Sequence, residues 1–299
     1  ISLYDEKQTF VTSLDVSKET LLVEDKWILS RFNNLLKNSY ANFSTTNYSK
    51  VVNDFEKFLL EDFSRVYVKL LRKRKDENHV LSYVFSSSLI LISPIVPHFT
   101  EFMYQKFSVK EKESVHLYNN PLINESLIDL DLEKNFDLSQ EVVKTALSLR
   151  EDLKKRLRWI LPEMHVVLKD FEKVSIFKEI IEDMANIENV SFSNNAPDNM
   201  PSKEVLKDVS VYINENIDSS YKEVWEVSEL TRLIQSERKK QKLNPNDKVS
   251  LKISCSEKDF LEKNKQKIED ATNTVLDILD TLSEDNKQKL IEREVSFSF

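Results

Sequence analysis

The chain has 299 residues, 40% hydrophobic and 31% charged, with 43 Lys+Arg against 51 Asp+Glu and a net charge of −8. That length and apolar fraction suit one large or two ordinary domains with real cores, and no apolar run approaches the ~20 residues of a membrane span. One cysteine excludes a disulfide framework or a cysteine-built zinc cluster, and the absence of glycine, where ~21 would be usual, excludes a P-loop and a Gly-rich dinucleotide loop.

The opening ISLYDEKQTF is no signal peptide, and a start on Ile1 reads as a fragment or processed piece. From Asp25 to Leu36, residues Trp27, Ile28, Phe32, Leu35 and Leu36 follow the spacing of an apolar helical stripe. The stripe resumes from Tyr48 to Leu71. A third helix, Val80 to Ile92, is apolar nearly all round and so belongs at the centre. Pro94 and Pro97 break it, and Pro97 opens the next helix through Phe99, Phe102, Met103 and Phe107. These elements predict an all-α bundle over 1–118.

Residues 119–137 are rich in turn formers and acids and read as a connector. Beyond it, helices alternate with period-two strands: a helix over Leu138–Leu157, then His165–Lys169; a helix over Phe171–Ala185, then Asn189–Ser193. A loop over Asn194–Ser202 precedes Val209–Ile213. A helix over Lys222–Lys242 precedes Val249–Ile253, and a long helix from Glu257 to Leu282 precedes Arg293–Phe299. The fold class is therefore multidomain, an all-α bundle followed by an α+β domain over 138–299. No internal repeat is evident. Without glycine, left-handed helix caps fall to asparagine, with Asn33-Asn34, Asn119-Asn120 and Asn194-Asn195 as the expected places.

Residues 1–120 hold 16 Lys+Arg and 15 Asp+Glu; the remainder holds 27 and 36. Neither part is basic on average, so polyanion binding has to rest on local patches. The strongest is RVYVKLLRKRK, with six cations and no acid; on a helix, Arg65, Lys69, Arg72 and Lys73 form one stripe that Arg74 and Lys75 extend. Tyr67, one position off that stripe, is placed to stack on a base. The alternative is a solvated helix face whose last cations complement the C-terminal dipole. A second patch joins Arg150, Lys154, Lys155, Arg156 and Arg158, followed by Trp159, which reads as core rather than platform. A third comprises Arg232, Arg238, Lys239, Lys240 and Lys242.

Catalytic constellations are poor. His79, His98, His116 and His165 lack metal-ligand spacing, Asp129 and Asp131 are best explained by solvation, and Cys255 reads as a structural thiol.

Several segments, taken together and in order, resemble one family. Asp25–Asn33, DKWILSRFN, is similar to the "DxWILSRLN" entry of the anticodon-binding bundle in isoleucyl-, valyl- and leucyl-tRNA synthetases. FEKFLLEDFSRVYVKLLRKRK resembles the isoleucine branch's "DLSxWYxxxxRxR" helix, with Val66 in place of Trp. SPIVPHFTEFMYQKF and ESVHLYNNP resemble "APxxPFxxExxYQ" and "ESVHLxxWP". LSLREDLKKRLRWILPEMHVV resembles a segment typical of the archaeal and eukaryotic type, with Leu161-Pro162 inverting the usual Pro-Leu. EVSELTRLIQSERKKQKLNPNDKVSLKI resembles "RELxRxIQxxRKxxGLxxxDxI", with Lys242 where the family has Gly and Glu223-Val224 near its Glu-Gly.

The resemblance implies the C-terminal half of an isoleucyl-tRNA synthetase, without the catalytic domain and its HIGH and KMSKS signatures, the editing domain, or a bacterial-type zinc finger. It implies a tRNA partner, the isoleucine tRNA, whose anticodon stem-loop the chain grips, with upstream catalytic and editing domains on the same polypeptide. No cofactor belongs to this piece; ATP and Mg belong to the missing catalytic portion, so the fragment is inactive alone in a ligase that is cytoplasmic. The expected RNA contacts are Arg65, Lys69, Arg72, Lys73 and Arg74, then Arg156, Arg158, Arg238 and Lys239; no catalytic or metal residue is expected. A non-catalytic protein-interaction module on the same scaffold, or the valine-specific relative, are the alternatives.

Overall fold

The computed structural model describes residues 9–15, 21–72, 74, 79–197, 202–206, 209–214, 217–244, 247–280 and 287–299. They form two compact units, Ile1–Ser139 and Gln140–Phe299.

In the first unit, α1 (Val23–Ser44) buries Trp27, Ile28, Leu29, Phe32 and Leu36. The polar residues of its opening segment are structural too. Asp25 accepts from the backbone N–H of Leu22 at 3.1 Å, capping the helix, and Trp27 stacks on Phe136 at 4.0 Å. Asn33 Oδ1 accepts from the Asn124 N–H at 2.8 Å, and Ser30 donates to Glu133. The motif thus ties α1 to the strap over 120–137.

The next helix changes pitch. α2 (Tyr48–Lys57) passes into a π-helical stretch, Phe58–Tyr67, and ends in the α-turn α3 (Val68–Leu71). The wider pitch puts Phe58, Phe63 and Tyr67 inward at spacings of five and four. Phe63 stacks on Phe85 of α4 (His79–Ile92) with ring centroids 6.3 Å apart. As expected of a helix apolar all round, α4 is central: Val84, Leu89, Ile90, Leu91 and Ile92 are buried. α5 (Pro97–Tyr104) starts on its proline. The helix expected from Leu138 begins earlier, α6 (Leu130–Asp152), because the Asp129 carboxylate caps it by accepting from the N–H groups of Asp131 and Leu132.

The second unit contains a duplication that sequence inspection did not find. After α6 come β1 (Leu161–Leu168), α7 (Glu172–Ser175), α8 (Lys178–Ala185), β2 (Ile187–Ser193), β3 (Ser202–Leu206) and β4 (Val209–Ile213). Then follow α9 (Ser219–Lys240), β5 (Val249–Cys255), α10 (Lys258–Thr272), β6 (Thr274–Ile278), β7 (Gln288–Lys289) and β8 (Glu294–Ser298). The sheets run β2-β1-β4-β3 and β6-β5-β8-β7, the first pair in each parallel and the other two antiparallel. Leu230, Ile234, Leu251, Ile253, Phe260 and Val295 fill the core of the second module.

A shared device identifies the two modules as copies. Arg150 donates to the carbonyls of Asn186, Arg156, Leu157 and Trp159, and Arg238 to those of Asn273, Asn244 and Asp247. Arg150, Arg156 and Trp159 lie 88 positions before Arg238, Asn244 and Asp247. Asn186 and Asn273 both take left-handed backbone, φ 52° and 50°, and their carbonyls accept from Leu161 and Val249, the first residues of β1 and β5. Each ends an Ile-Glu-Asp-x-x-Asn run, in which Glu182 and Glu269 accept from the N–H of Val190 and Leu276, both at 2.8 Å.

Several element expectations are corrected. The Glu257–Leu282 helix stops at Thr272, where the left-handed Asn273 turns the chain into β6; helix 171–185 splits into α7 and α8; β3 was not foreseen. Among the described residues the left-handed ones are Thr46, Lys154, Asn186, Lys242 and Asn273, not the expected asparagine pairs. Asn33-Asn34 lies inside α1, where the Asn33 amide donates to the Leu29 carbonyl.

Candidate nucleic-acid interface

On the bundle, Arg65, Lys69 and Arg72 are all exposed, following one another at spacings of four and three across the change from π to α pitch. None is held by a carboxylate among the described residues. Lys73, expected with them, lies outside the described residues.

Arg74 and Tyr67 face the other way. Arg74 Nη1 donates to Asp25 Oδ2 at 2.9 Å and Glu24 Oε1 at 3.2 Å, and Tyr67 Oη donates to Asp25 Oδ1 at 2.6 Å. Asp25 and Tyr67 are buried. A buried carboxylate needs such partners, so Arg74 closes the base of α1 instead of meeting solvent phosphate, and Tyr67 offers no stacking face. Tyr67 lies two residues from both Arg65 and Lys69, which sets it on the opposite side of the helix from those cations and on the inward face of Phe63, four residues before it.

On the second unit, Arg156 and Arg158 converge on one buried carboxylate. Glu229 Oε1 accepts from Arg156 at 2.8 Å, from Arg158, and from the Trp159 indole at 3.1 Å; Oε2 accepts from Arg232 at 3.3 Å. Burial alone would raise the Glu229 carboxyl, but hydrogen bonds from Arg158 and Arg156 hold it below the usual range. The arginine side chains stay 56%, 34% and 46% exposed for Arg156, Arg158 and Arg232, so three cations meet one anion with donors left over for solvent. Trp159 stacks on Trp225 at 4.9 Å and 8°, with Arg156 over Trp159 and Lys155 over Trp225.

Arg150 sets this loop. It is 1% exposed, its pKa is lowered to about 10 by burial, and it stays charged at neutral pH while gathering the carbonyls of Arg156, Leu157 and Trp159. Beside it lies a cavity of about 420 Å³ lined by Leu147, Arg150, Glu151, Lys154, Lys155, Arg156 and Leu157, so one carboxylate faces it among the cations. Arg238 is likewise buried and spent on backbone carbonyls, which removes it from the expected RNA contacts. Lys239 is exposed, on a cleft of about 760 Å³ with Lys242 and Asp270.

Glu229 and Trp225, the groups that bring the arginines together, carry no signal in sequence, because their partners lie about 70 residues away. Among the histidines, His165 is occupied by the hydroxyls of Ser191 and Ser193, at 2.6 and 2.8 Å. Burial pushes the Cys255 thiol up, away from a reactive thiolate. Among the described residues no group of three or more His, Cys, Asp or Glu is placed to hold a metal, and no helix is long and apolar enough to cross a membrane.

Residues 25–165 match the family profile described as the anticodon-binding domain of tRNA ligase. Among relatives, the isoleucine–tRNA ligase of Saccharolobus solfataricus is 32% identical over 184 residues, which cover 57% of this chain and 19% of that protein. The isoleucine–tRNA ligase of Methanopyrus kandleri is 30% identical over 207 residues, covering 65% and 19%. The chain thus spans under a fifth of the length of these relatives.

Proposed function

We propose, from the premise that residues 25–165 are an anticodon-binding domain of the tRNA ligase type, that the chain is the tRNA-binding portion of an isoleucine–tRNA ligase. The bundle cations Arg65, Lys69 and Arg72 hold phosphates of the anticodon stem-loop and set its register, while unstacked bases are read by stacking and edge hydrogen bonds. The observation that carries this reading is their exposure in one unneutralised row within the matched segment. Arg156, Arg158 and Lys239 are secondary contacts. All the relatives named are isoleucine enzymes, which favours that branch over the valine-specific one.

In the whole protein, docking here orients the tRNA so that its acceptor end reaches a ligation site that uses ATP and Mg outside this chain. Each row cation that neutralises a phosphate releases counterions, so Arg72→Ala should lower the slope of log K against log salt by about one. The measurement is filter binding of an isoleucine tRNA transcript across a salt series. An unchanged slope removes Arg72 from the interface; no retention at low salt favours a protein-interaction module instead.

A further inference from the structure

The helical bundle also carries an aromatic groove to which the row of Arg65, Lys69 and Arg72 contributes no side chain. Thr46, in left-handed backbone, closes the corner between α1 and α2, where Phe43 and Tyr48 meet with ring centroids 6.1 Å apart. Leu91, Pro94 and Ile95 come from the end of α4 and the turn after it. With Tyr40 and Asn120 these residues line a cleft of about 810 Å³, inside the ~300–1,000 Å³ range of ligand sites.

The lining holds no acidic or basic side chain. Two lysines that flank it in sequence are neutralised, Lys37 by Glu125 at 3.0 Å and Lys50 by Asp54 at 2.6 Å. A polyanion therefore meets no counter-charge here, and the groove is complementary to an uncharged chain. Its polar groups can all donate. Tyr40 Oη donates to the Pro121 carbonyl at 2.6 Å, and burial pushes that hydroxyl up to about 12, so it keeps its proton. The Tyr48 hydroxyl and the Asn120 amide have no hydrogen-bond partner among the described residues.

The bundle already seats two non-helical pieces of its own chain through side-chain hydrogen bonds. One is the buried Pro121 on Tyr40; the other is residues 9–15, where Phe10 is buried and the Val11 N–H donates to Ser86 Oγ at 3.1 Å. Asn120 is shared with a neighbouring cleft of about 410 Å³, lined in part by Thr12, Ser13 and Leu14 and by one charge of each sign, Glu111 and Lys112. Two clefts that meet at one residue suit an elongated ligand better than a compact one.

We infer that this groove binds an uncharged, proline-rich peptide segment in the polyproline II conformation. Such a helix has no internal hydrogen bonds, so its carbonyls are free to accept from Tyr48 Oη and Asn120 Nδ2 while proline rings pack on Tyr40, Phe43 and Tyr48. Ordered before it docks, it gives up little chain entropy on binding. The contact goes beyond the RNA reading and does not depend on it.

The test titrates fluorescein-labelled decaproline against the whole chain by anisotropy at 50 and 300 mM salt, beside a Gly-Ser decapeptide and an oligouridylate. Tyr48 is 53% exposed and Asn120 is exposed, so Tyr48→Ala and Asn120→Ala should hold Tm. Decaproline should bind saturably and equally at both salt concentrations, because neither side carries charge to be screened. Tyr48→Ala should weaken it at least about tenfold, and Tyr48→Phe or Asn120→Ala by about three- to tenfold. No saturation, equal binding of the Gly-Ser peptide, or an unchanged affinity in Tyr48→Ala overturns the inference. Should Tyr48→Ala lower Tm, Asn120→Ala decides, and an unchanged affinity there overturns it. Oligouridylate displacing decaproline overturns it in favour of a nucleobase groove. R65A/R72A should lose tRNA affinity and bind decaproline as before, so the failure of either reading shows in its own assay.

Discussion

Asp62, in the π-helical stretch, lies half-buried, and its pKa is raised to about 6, chiefly by burial and against the pull of Arg31. The folded chain therefore holds a proton on Asp62 at a pH where the unfolded chain has lost it, so stability falls as pH rises from about 4 to about 6. Asp62→Asn should flatten that limb and raise stability at pH 7 by on the order of 2 kcal/mol; urea titrations at pH 4.5 and pH 7 check it, and equal midpoint shifts at both pH values would contradict it. Lys242 is a second residue-scale case. Its backbone sits at φ 57°, where a Cβ is unfavourable and glycine is not, and this is the position where the family resemblance has Gly. Lys242→Gly should raise stability by about 0.5–1 kcal/mol after the larger entropy of the unfolded chain is offset. A lowered Tm would show that the lysine side chain contributes more than the strain.

At the scale of elements, the helices and most strands were legible because their apolar spacing follows the period of the element. β4 matches its expected bounds, Val209–Ile213, and α5 starts on its expected proline. What was not legible depended on backbone events with no period of their own. The π stretch put Phe58 and Phe63 on one face at a spacing of five, and Asn273 turned an apolar run that reads as helix into β6. The repeat has little signature in the sequence because it survives as a few spaced residues, Arg-x-x-x-Lys and Ile-Glu-Asp-x-x-Asn, and not as overall similarity. The candidate site was half legible: charge runs mark where cations lie, but only coordinates separate the exposed row of Arg65, Lys69 and Arg72 from Arg74 and Arg238, which are committed to internal partners. Arg238→Met strands the carbonyls of Asn273, Asn244 and Asp247 and should cost about 3 kcal/mol. Amide exchange should then quicken in β5 and α10 more than in β1 and α8, with Arg150→Met giving the opposite bias. Uniform loss of protection in both variants would contradict two separately braced modules.

At the scale of the whole molecule, a chain of net charge −8 can hold a polyanion only if its acids are neutralised or distant where its cations gather. Acids are indeed consumed internally: Asp25 by Arg74 and Tyr67, Glu226 by Arg293, Glu229 by three arginines. Sequence-wide charge is thus a poor guide to the surface that a ligand meets. The most direct measurement is the affinity of the chain for an isoleucine tRNA transcript, beside the same transcript with an exchanged anticodon, over 50–300 mM salt. The account predicts tight retention at low salt that weakens steeply as salt rises, loses about two from its slope in R65A/R72A, and drops when the anticodon is exchanged. Equal affinity for both transcripts, or a salt slope that R65A/R72A leaves untouched, would contradict it.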